Sequence, residues 1–125
     1  MKKKLNFQTK AIIAGRSVDA ISGKTFETFN PANGKVLAKI ARCEKADADA
    51  AVKAARNAFE NGPWPKMSPA ERKVILQRFA TLIEAHTDEL AELEAMEAGK
   101  PISDCIEIDL PETIGTVSYT HLTLP

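Results

Sequence analysis

The two cysteines are the strongest nucleophiles in the sequence, and neither has the partners that a catalytic thiolate needs. Cys43 has basic residues close on both sides, which favour a thiolate, but no histidine that could act as its base lies nearby in the sequence. A structural cysteine is therefore the favoured interpretation of Cys43, with a catalytic thiolate as the open alternative. Cys105 falls on the apolar stripe of a predicted helix, which indicates a core residue. Two cysteines do not make a disulfide framework.

The remaining candidate residues lack the spacing of a catalytic or metal-binding motif. The six glycines are isolated, so the sequence contains no phosphate-binding loop, and no histidine–cysteine cluster has zinc spacing. His86 lies on the apolar side at the end of a predicted helix, which favours a packing residue or a partner of the helix dipole over a ligand. Asp104, Glu107 and Asp109 are interpreted as a solvated helix face. Taken alone, these residues predict no catalytic centre.

The other elements are organised around a predicted helix, Ser68–His86. Ser68 is its N-cap, Pro69 suits the first helical position, and Glu71 completes a capping box. At about 100° per residue, apolar side chains of this helix form one stripe, which we expect neighbouring elements to bury. The stripe consists of Ile75, Phe79, Leu82 and Ile83, with Leu76 at its edge.

Short antiparallel strands are predicted before any helix. Gly15 marks a turn between the first two strands, and the segment Asn30–Gly34 is a strong turn signal because its proline and its Asn-Gly pair preset the backbone angles. Residues 1–10 are polar and are expected to be disordered. The predicted strands are Ala11–Ala14, Ser17–Ala20, Thr25–Phe29 and Val36–Ile40, in a β unit that spans residues 11–40.

Further helices are predicted within residues 45–115. One spans Lys45–Asn61, another spans about Asp88–Ala98 with Thr87 as its cap, and a last one starts near Ile102, where Pro111 weakens or restarts it. The expected inward-facing residues are Ala48, Ala51, Val52, Ala55 and Phe59, then Leu90 and Leu93, and finally Ile102, Cys105, Ile106, Leu110 and Ile114.

Glu97 is an unusual residue for its position in the third of these helices. It follows Leu93 by four residues, so it falls on the apolar stripe, and a carboxylate in the last turn opposes the helix dipole. A solvated acid or a salt-bridge partner is the favoured interpretation. The alternative is a carboxylate that faces a cation.

Composition excludes several classes of function. The 17 basic and 17 acidic residues cancel, which argues against a nucleic-acid partner. No apolar run is long enough to span a membrane, and none follows the N-terminal lysines as a signal peptide requires. A cytoplasmic location is therefore predicted.

The last nine residues, Val117–Pro125, change in character. They lack helical periodicity, and they do not continue the preceding apolar stripe. Their sequence, VSYTHLTLP, resembles the translation of an adaptor used in sequencing libraries. We therefore hypothesise that the genuine protein stops near Gly115 or Thr116, that 117–125 is a non-native tail, and that Tyr119 and His121 have no biological role.

Several motifs occur together in an order that resembles the aldehyde dehydrogenase superfamily. They are the stretch SGKTFETFNPANGKVLAKI, the alanine-rich helix that ends near Trp64, the helix that carries Arg72, and the segment from Glu94 to Gly99-Lys100-Pro101. The resemblance covers about Ala11 to Gly115. Within the family, the stretch IDLPETIG is similar to the branch that oxidises aminoaldehydes, including γ-glutamyl-γ-aminobutyraldehyde.

The resemblance implies an α/β fold of which residues 11–116 are the N-terminal part. It implies an oxidoreductase that converts aldehydes to carboxylic acids with NAD or NADP, in which a cysteine thiolate attacks the aldehyde and a glutamate activates water. These catalytic residues and the cofactor loop would belong to segments beyond Gly115, so no catalytic or cofactor-binding residue is assigned, and the chain alone is expected to be inactive. The implied parent is a homo-oligomer that acts on an aldehyde. A free-standing helical interaction module is the alternative.

The resemblance also implies one site within the chain. Several relatives bind a structural Na⁺ or K⁺ ion, and the matching ligands are Thr28 and Phe29, through backbone carbonyls, and the Glu97 carboxylate. A hard cation prefers such oxygen ligands. Many relatives have an aspartate where this chain has Glu97.

Overall fold

The chain divides into two compact units between Lys66 and Met67. The computed structural model describes residues 5–123, with side chains up to residue 119. None of the helices in this range has the length and the apolar character needed to cross a membrane.

The first unit begins with four short strands, which confirms the predicted β segment. They pair into two separate antiparallel hairpins, and the first hairpin is shorter than predicted because Ala14 and Gly15 both adopt positive φ, at 52° and 73°. The strands are β1 (Ala11–Ile13), β2 (Arg16–Val18), β3 (Thr25–Phe29) and β4 (Val36–Ala41).

The turn between β3 and β4 forms as its sequence predicts. The Gly34 N–H donates to the Asn30 carbonyl at 2.8 Å, with Gly34 at a φ of 67°, and the Asn30 side-chain oxygen accepts the Ala32 N–H at 2.9 Å. The hairpin register shifts between Thr28 and Phe29, so the ladder contains a bulge next to this turn.

Helix α1 (Lys45–Asn61) has the predicted bounds but not the predicted buried face. Val52 and Phe59 are 67% and 65% exposed, so the prediction that this apolar face is buried is wrong. The buried residue of α1 is instead Asp47, in its first turn. The helix ends at Gly62, whose N–H donates to the Ala58 carbonyl at 2.9 Å, and the 3₁₀ helix Trp64–Lys66 follows.

Helix α2 (Pro69–Ala85) opens the second unit with the predicted capping box. The Glu71 N–H donates to Ser68 Oγ at 3.3 Å, and the Glu71 carboxylate accepts the Ser68 N–H at 2.8 Å. His86 is the C-cap of α2.

Helix α3 (Thr87–Ala98) starts one residue earlier than predicted. Thr87 is its first residue and not its cap, because the Thr87 hydroxyl donates back to the Glu84 carbonyl at 2.8 Å. Gly99 ends α3 in the left-handed conformation, with a φ of 73°.

The predicted last helix consists of three pieces. A single turn, α4 (Ile102–Asp104), leads into a π-helix (Cys105–Asp109) and then into α5 (Leu110–Thr123). The Leu110 N–H donates to the Cys105 carbonyl, five residues back. Pro111 follows directly and lacks an N–H, so the regular hydrogen-bond pattern restarts after it. Helix α5 continues through Val117, although the sequence from there on lacks helical periodicity; the side chain of His121 lies outside the described residues.

Small side chains form the buried core of the described residues. The buried apolar residues are Ala20 in the first unit and Ala80, Ala91 and Cys105 in the second. The stripe expected to be buried on α2 is largely exposed: Ile75, Phe79 and Leu82 are each at least 44% exposed. The fully buried apolar side chains of the second unit are therefore small, and its larger apolar side chains are half-buried or exposed.

Candidate functional site

Thr28, Phe29 and Glu97, the predicted alkali-cation ligands, lie in different units. Thr28 and Phe29 are the last two residues of β3, and the register shift of the hairpin falls between them. A bulge interrupts the ladder of backbone hydrogen bonds. Carbonyl oxygens at a bulge can therefore be available as cation ligands. Glu97 is exposed in the last turn of α3, and it forms no ion pair with any residue that the structure describes. The cation site stays a prediction.

The buried carboxylate of Asp47 accepts two backbone hydrogen bonds in the first unit. One carboxylate oxygen accepts the Glu44 N–H at 2.8 Å, and the other accepts the Ile21 N–H at 2.8 Å. The first bond belongs to the capping box of α1, and the second joins α1 to the turn that follows β2. The two N–H donors, that of Glu44 above all, lower the pKa of this carboxyl, although the side chain is only 4% exposed.

A second polar cluster lies where α3 leads into the π-helix. Lys100 Nζ donates to Asp109 Oδ2 at 2.5 Å, and this bond raises the pKa of the lysine. Asp109 therefore has a partner, whereas the sequence suggested a wholly solvated acid. Cys105 is fully buried beside this pair, and burial, followed by the charge of Asp109, raises the pKa of its thiol. A raised pKa disfavours the thiolate, so Cys105 is a core residue, as predicted.

An apolar groove lies between α2, α3 and α5 in the second unit. It encloses about 720 Å³. We name it the α2–α3–α5 groove. Its apolar lining consists of Phe79, Leu82 and Ile83 of α2, Leu90 and Leu93 of α3, and Leu110 of α5.

The other sequence candidates are not brought together into a reactive site. Cys43 is an exposed free cysteine that follows β4. His86 Nδ1 forms a hydrogen bond of 2.8 Å with the Leu82 carbonyl in the last turn of α2. Among residues 5–123, no group of three histidine, cysteine or acidic residues is placed to hold a metal ion.

Sequence reasoning missed the role of Asp47 and the position of the groove. The signal for Asp47 was present, since an acid at the third helical position is the second half of a capping box. Its bond to Ile21 spans 26 residues, which no local pattern predicts. The sequence identified several groove residues as part of an apolar stripe. Whether they are exposed depends on which other elements of the unit pack over them.

Comparison with known proteins gives one consistent family. The model of the aldehyde dehydrogenase family matches residues 18–123. The mitochondrial benzaldehyde dehydrogenase of Antirrhinum majus is 47% identical over 110 residues, which are 88% of this chain and 21% of that protein. The aminoacetaldehyde dehydrogenase of Pseudomonas aeruginosa is 47% identical over 115 residues, which are 92% of this chain and 23% of that protein.

The fold agrees with the same family. The NAD⁺ complex of an aldehyde dehydrogenase from Bacillus cereus superposes with a TM-score of 0.89 at 48% identity, over 94% of this chain and 24% of that one. The chain thus spans about a fifth to a quarter of the length of the proteins it matches.

Proposed function

The chain belongs to the aldehyde dehydrogenase family, and from this premise we propose that it is the N-terminal part of an NAD(P)-dependent enzyme that oxidises an aldehyde to a carboxylic acid. In the parent enzyme this part acts as scaffold, and on its own it is inactive. The aminoacetaldehyde dehydrogenase among its relatives supports an aminoaldehyde as the substrate class.

The observation that carries the proposal is the distribution of apolar side chains between the core and the surface. The apolar side chains that are buried in the described part of the chain are all small, while fifteen large apolar residues are exposed. Burial of apolar area contributes about 25 cal/mol per Å², so a domain that left this much apolar surface in water would forgo much of its stability. A piece of a larger domain has the same surface for a simple reason, because the remaining polypeptide covers it.

The described residues do not fit a dinucleotide site. Such a site uses parallel strands followed by a glycine-rich turn at a helix N-terminus, whereas β1–β4 pair only as antiparallel hairpins. Cys105 is fully buried and the pKa of its thiol is raised, which disfavours the thiolate that a nucleophile needs. We assign no catalytic or cofactor-binding residue to this chain and place the cysteine nucleophile, the glutamate base and the cofactor loop in the remainder of the domain.

The alkali-cation site is part of the proposal, with Thr28, Phe29 and Glu97 as ligands and K⁺ or Na⁺ as the ion. The bulge at Thr28 and Phe29 supports it, because it interrupts the backbone ladder that would otherwise use their carbonyls. The proposed parent is a homo-oligomer without nucleic-acid or membrane partners. Its proposed location is the cytoplasm, although some relatives are mitochondrial, and cell fractionation tests this point. The non-native origin of 117–125 is tested by resequencing the gene.

A chimera tests the proposed function. Residues 11–116 replace the matching segment of the Bacillus cereus aldehyde dehydrogenase, and aldehyde-dependent formation of NADH or NADPH is measured. We expect activity from the chimera, none from the 125-residue chain, and none from the host without its first segment. A folded but inactive chimera contradicts the proposal, as does aldehyde oxidation by the isolated chain. A chain that does not bind the apolar dye ANS favours the interaction module instead.

A further inference from the structure

Two Asn-Gly steps occur in the first unit, and their side chains are held in different ways. Asn33-Gly34 lies in the exposed turn between β3 and β4, and Asn61-Gly62 lies at the end of α1. The chain's other asparagines precede phenylalanine, proline or alanine. Glycine has no Cβ, so a side-chain amide can approach the backbone nitrogen of the next residue more closely in an Asn-Gly step than in the others.

The side chain of Asn33 is turned toward the two residues that follow it. Its Oδ1 accepts the Lys35 N–H at 2.9 Å. This hydrogen bond closes a ring of atoms that contains both the Asn33 Cγ and the Gly34 nitrogen, and its donor polarises the amide carbonyl. We propose that Asn33 is a site of spontaneous deamidation, at which the Gly34 nitrogen attacks the Asn33 side chain. The inference does not rest on the proposed function, because it concerns only the chemistry of this turn.

The reaction at Asn33 needs no reactant except water. A bond forms between the Gly34 nitrogen and the Asn33 Cγ, the bond from Cγ to Nδ2 breaks, and the amide leaves as ammonia with the proton of the Gly34 N–H. Water then opens the resulting succinimide. Opening at Cγ gives aspartate, whereas opening at the backbone carbonyl gives isoaspartate, in which the chain runs through the former side chain. Both products carry a new negative charge at position 33.

Asn61 is held away from the same reaction. Its Nδ2 donates to Asn57 Oδ1 at 2.9 Å, one turn back along α1, whereas Gly62 lies on the other side of Asn61. The backbone N–H of the glycine is bonded in both steps, from Gly34 to the Asn30 carbonyl at 2.8 Å and from Gly62 to the Ala58 carbonyl at 2.9 Å. These backbone bonds slow both reactions, so the side-chain bond of Asn61 makes the difference between the steps.

Isoaspartate at position 33 would lengthen the backbone of a turn that is closed by hydrogen bonds. The Asn30 N–H donates to the Lys35 carbonyl at 2.9 Å across this turn, next to the paired residues Phe29 and Val36. We therefore expect hydrogen exchange at the Asn30 amide to be faster in the isoaspartate form. Asn33→Asp is the matched control, because it has the same charge and a backbone of normal length, and it should keep the slower exchange.

The test follows both Asn-Gly steps in the 125-residue chain at mildly alkaline pH, with and without urea. Peptide mass spectrometry with electron-transfer fragmentation measures the loss of each amide and distinguishes isoaspartate from aspartate. Without urea, Asn33 should react faster than Asn61 by about fivefold, the factor that corresponds to the net contribution of one hydrogen bond. In urea the two rates should converge. Asn57→Ala, at an exposed helical position where alanine is favourable, should raise the rate at Asn61 toward that at Asn33.

Several results would overturn the assignment of Asn33. Asn61 could react as fast as Asn33 in the absence of urea, or its rate could be unchanged by Asn57→Ala. A preference for Asn33 that persists in urea would come from the neighbouring sequence and not from the folded turn. Formation of aspartate without isoaspartate would exclude the succinimide.

Discussion

Substitution of glycine by alanine should have opposite effects on stability at Gly99 and at Gly115. Gly99 follows α3 with a φ of 73°, a conformation that costs an alanine about 1–2 kcal/mol. Gly115 lies inside α5, where its φ is not positive and an added Cβ would meet no atom within 4 Å. Alanine in a helix interior is more stable than glycine by about 0.5–1 kcal/mol.

Urea denaturation followed by far-ultraviolet circular dichroism measures both effects, since both glycines lie in the helical second unit. With an m-value of about 1 kcal/mol per molar urea, Gly99→Ala should lower the midpoint by about 1–2 M. On the same scale, Gly115→Ala should raise it by about 0.5–1 M.

Gly99→Asn is the control for the role of backbone conformation. Asparagine tolerates the left-handed region better than alanine does, so its midpoint should lie between those of the wild type and Gly99→Ala. The reasoning is refuted if the two alanine variants shift the midpoint in the same direction, or if asparagine is as harmful as alanine at this position.

Four further predictions follow from individual contacts. Asp47→Asn should destabilise the chain at neutral pH and weaken the acid dependence of its stability. In the wild type the folded pKa of Asp47 is below the ordinary 3.8, so its stabilising contribution is complete above that pH and is lost as the pH falls through the folded value; urea denaturation across this range measures it. Ser68→Ala should cost about 1 kcal/mol in urea denaturation, because the first turn of α2 loses a hydrogen-bond acceptor. Glu97→Gln should abolish any K⁺ dependence of the melting temperature of the chimera, because the proposed carboxylate ligand is removed. A thiol reagent should modify Cys43 in the folded chain and Cys105 only after urea unfolds it, since the first is exposed and the second buried.

Each of these measurements has a control in the same chain. Asp49→Asn changes an exposed carboxylate of the same helix, paired with Lys45 at the surface, and should destabilise the chain less than Asp47→Asn does. Ser68→Asp retains an acceptor and should recover most of the lost stability. Unchanged K⁺ dependence in Glu97→Gln rejects the cation site. Equal reaction rates of the two thiols in the folded chain would contradict the burial of the second one.

Local signals in the sequence predicted most of the secondary structure. The bounds of α1, the capping box at Ser68 and the stop at Gly99 all agree with the structure, because each depends on residues within one or two helical turns. The turn at Asn30–Gly34 was predicted for the same reason. The π-helix was not predicted, although Pro111 suggested an interruption near it.

The buried faces were predicted less well, and the reason is physical. Periodicity shows that Val52, Phe59 and Phe79 lie on apolar faces, but burial depends on what covers each face. In this chain the cover is absent from the described residues, so these side chains are exposed and small alanines are buried instead.

The sequence by itself determined the family, through motifs whose order is retained along the chain, and the helices and turns, whose stabilising contacts are local. Only the tertiary structure decided that Asp47 joins α1 to the turn after β2 and that the large apolar residues of α2 and α3 line an open groove. Both features depend on contacts between residues far apart in sequence, and the free energy of such contacts is set by packing rather than by local preference.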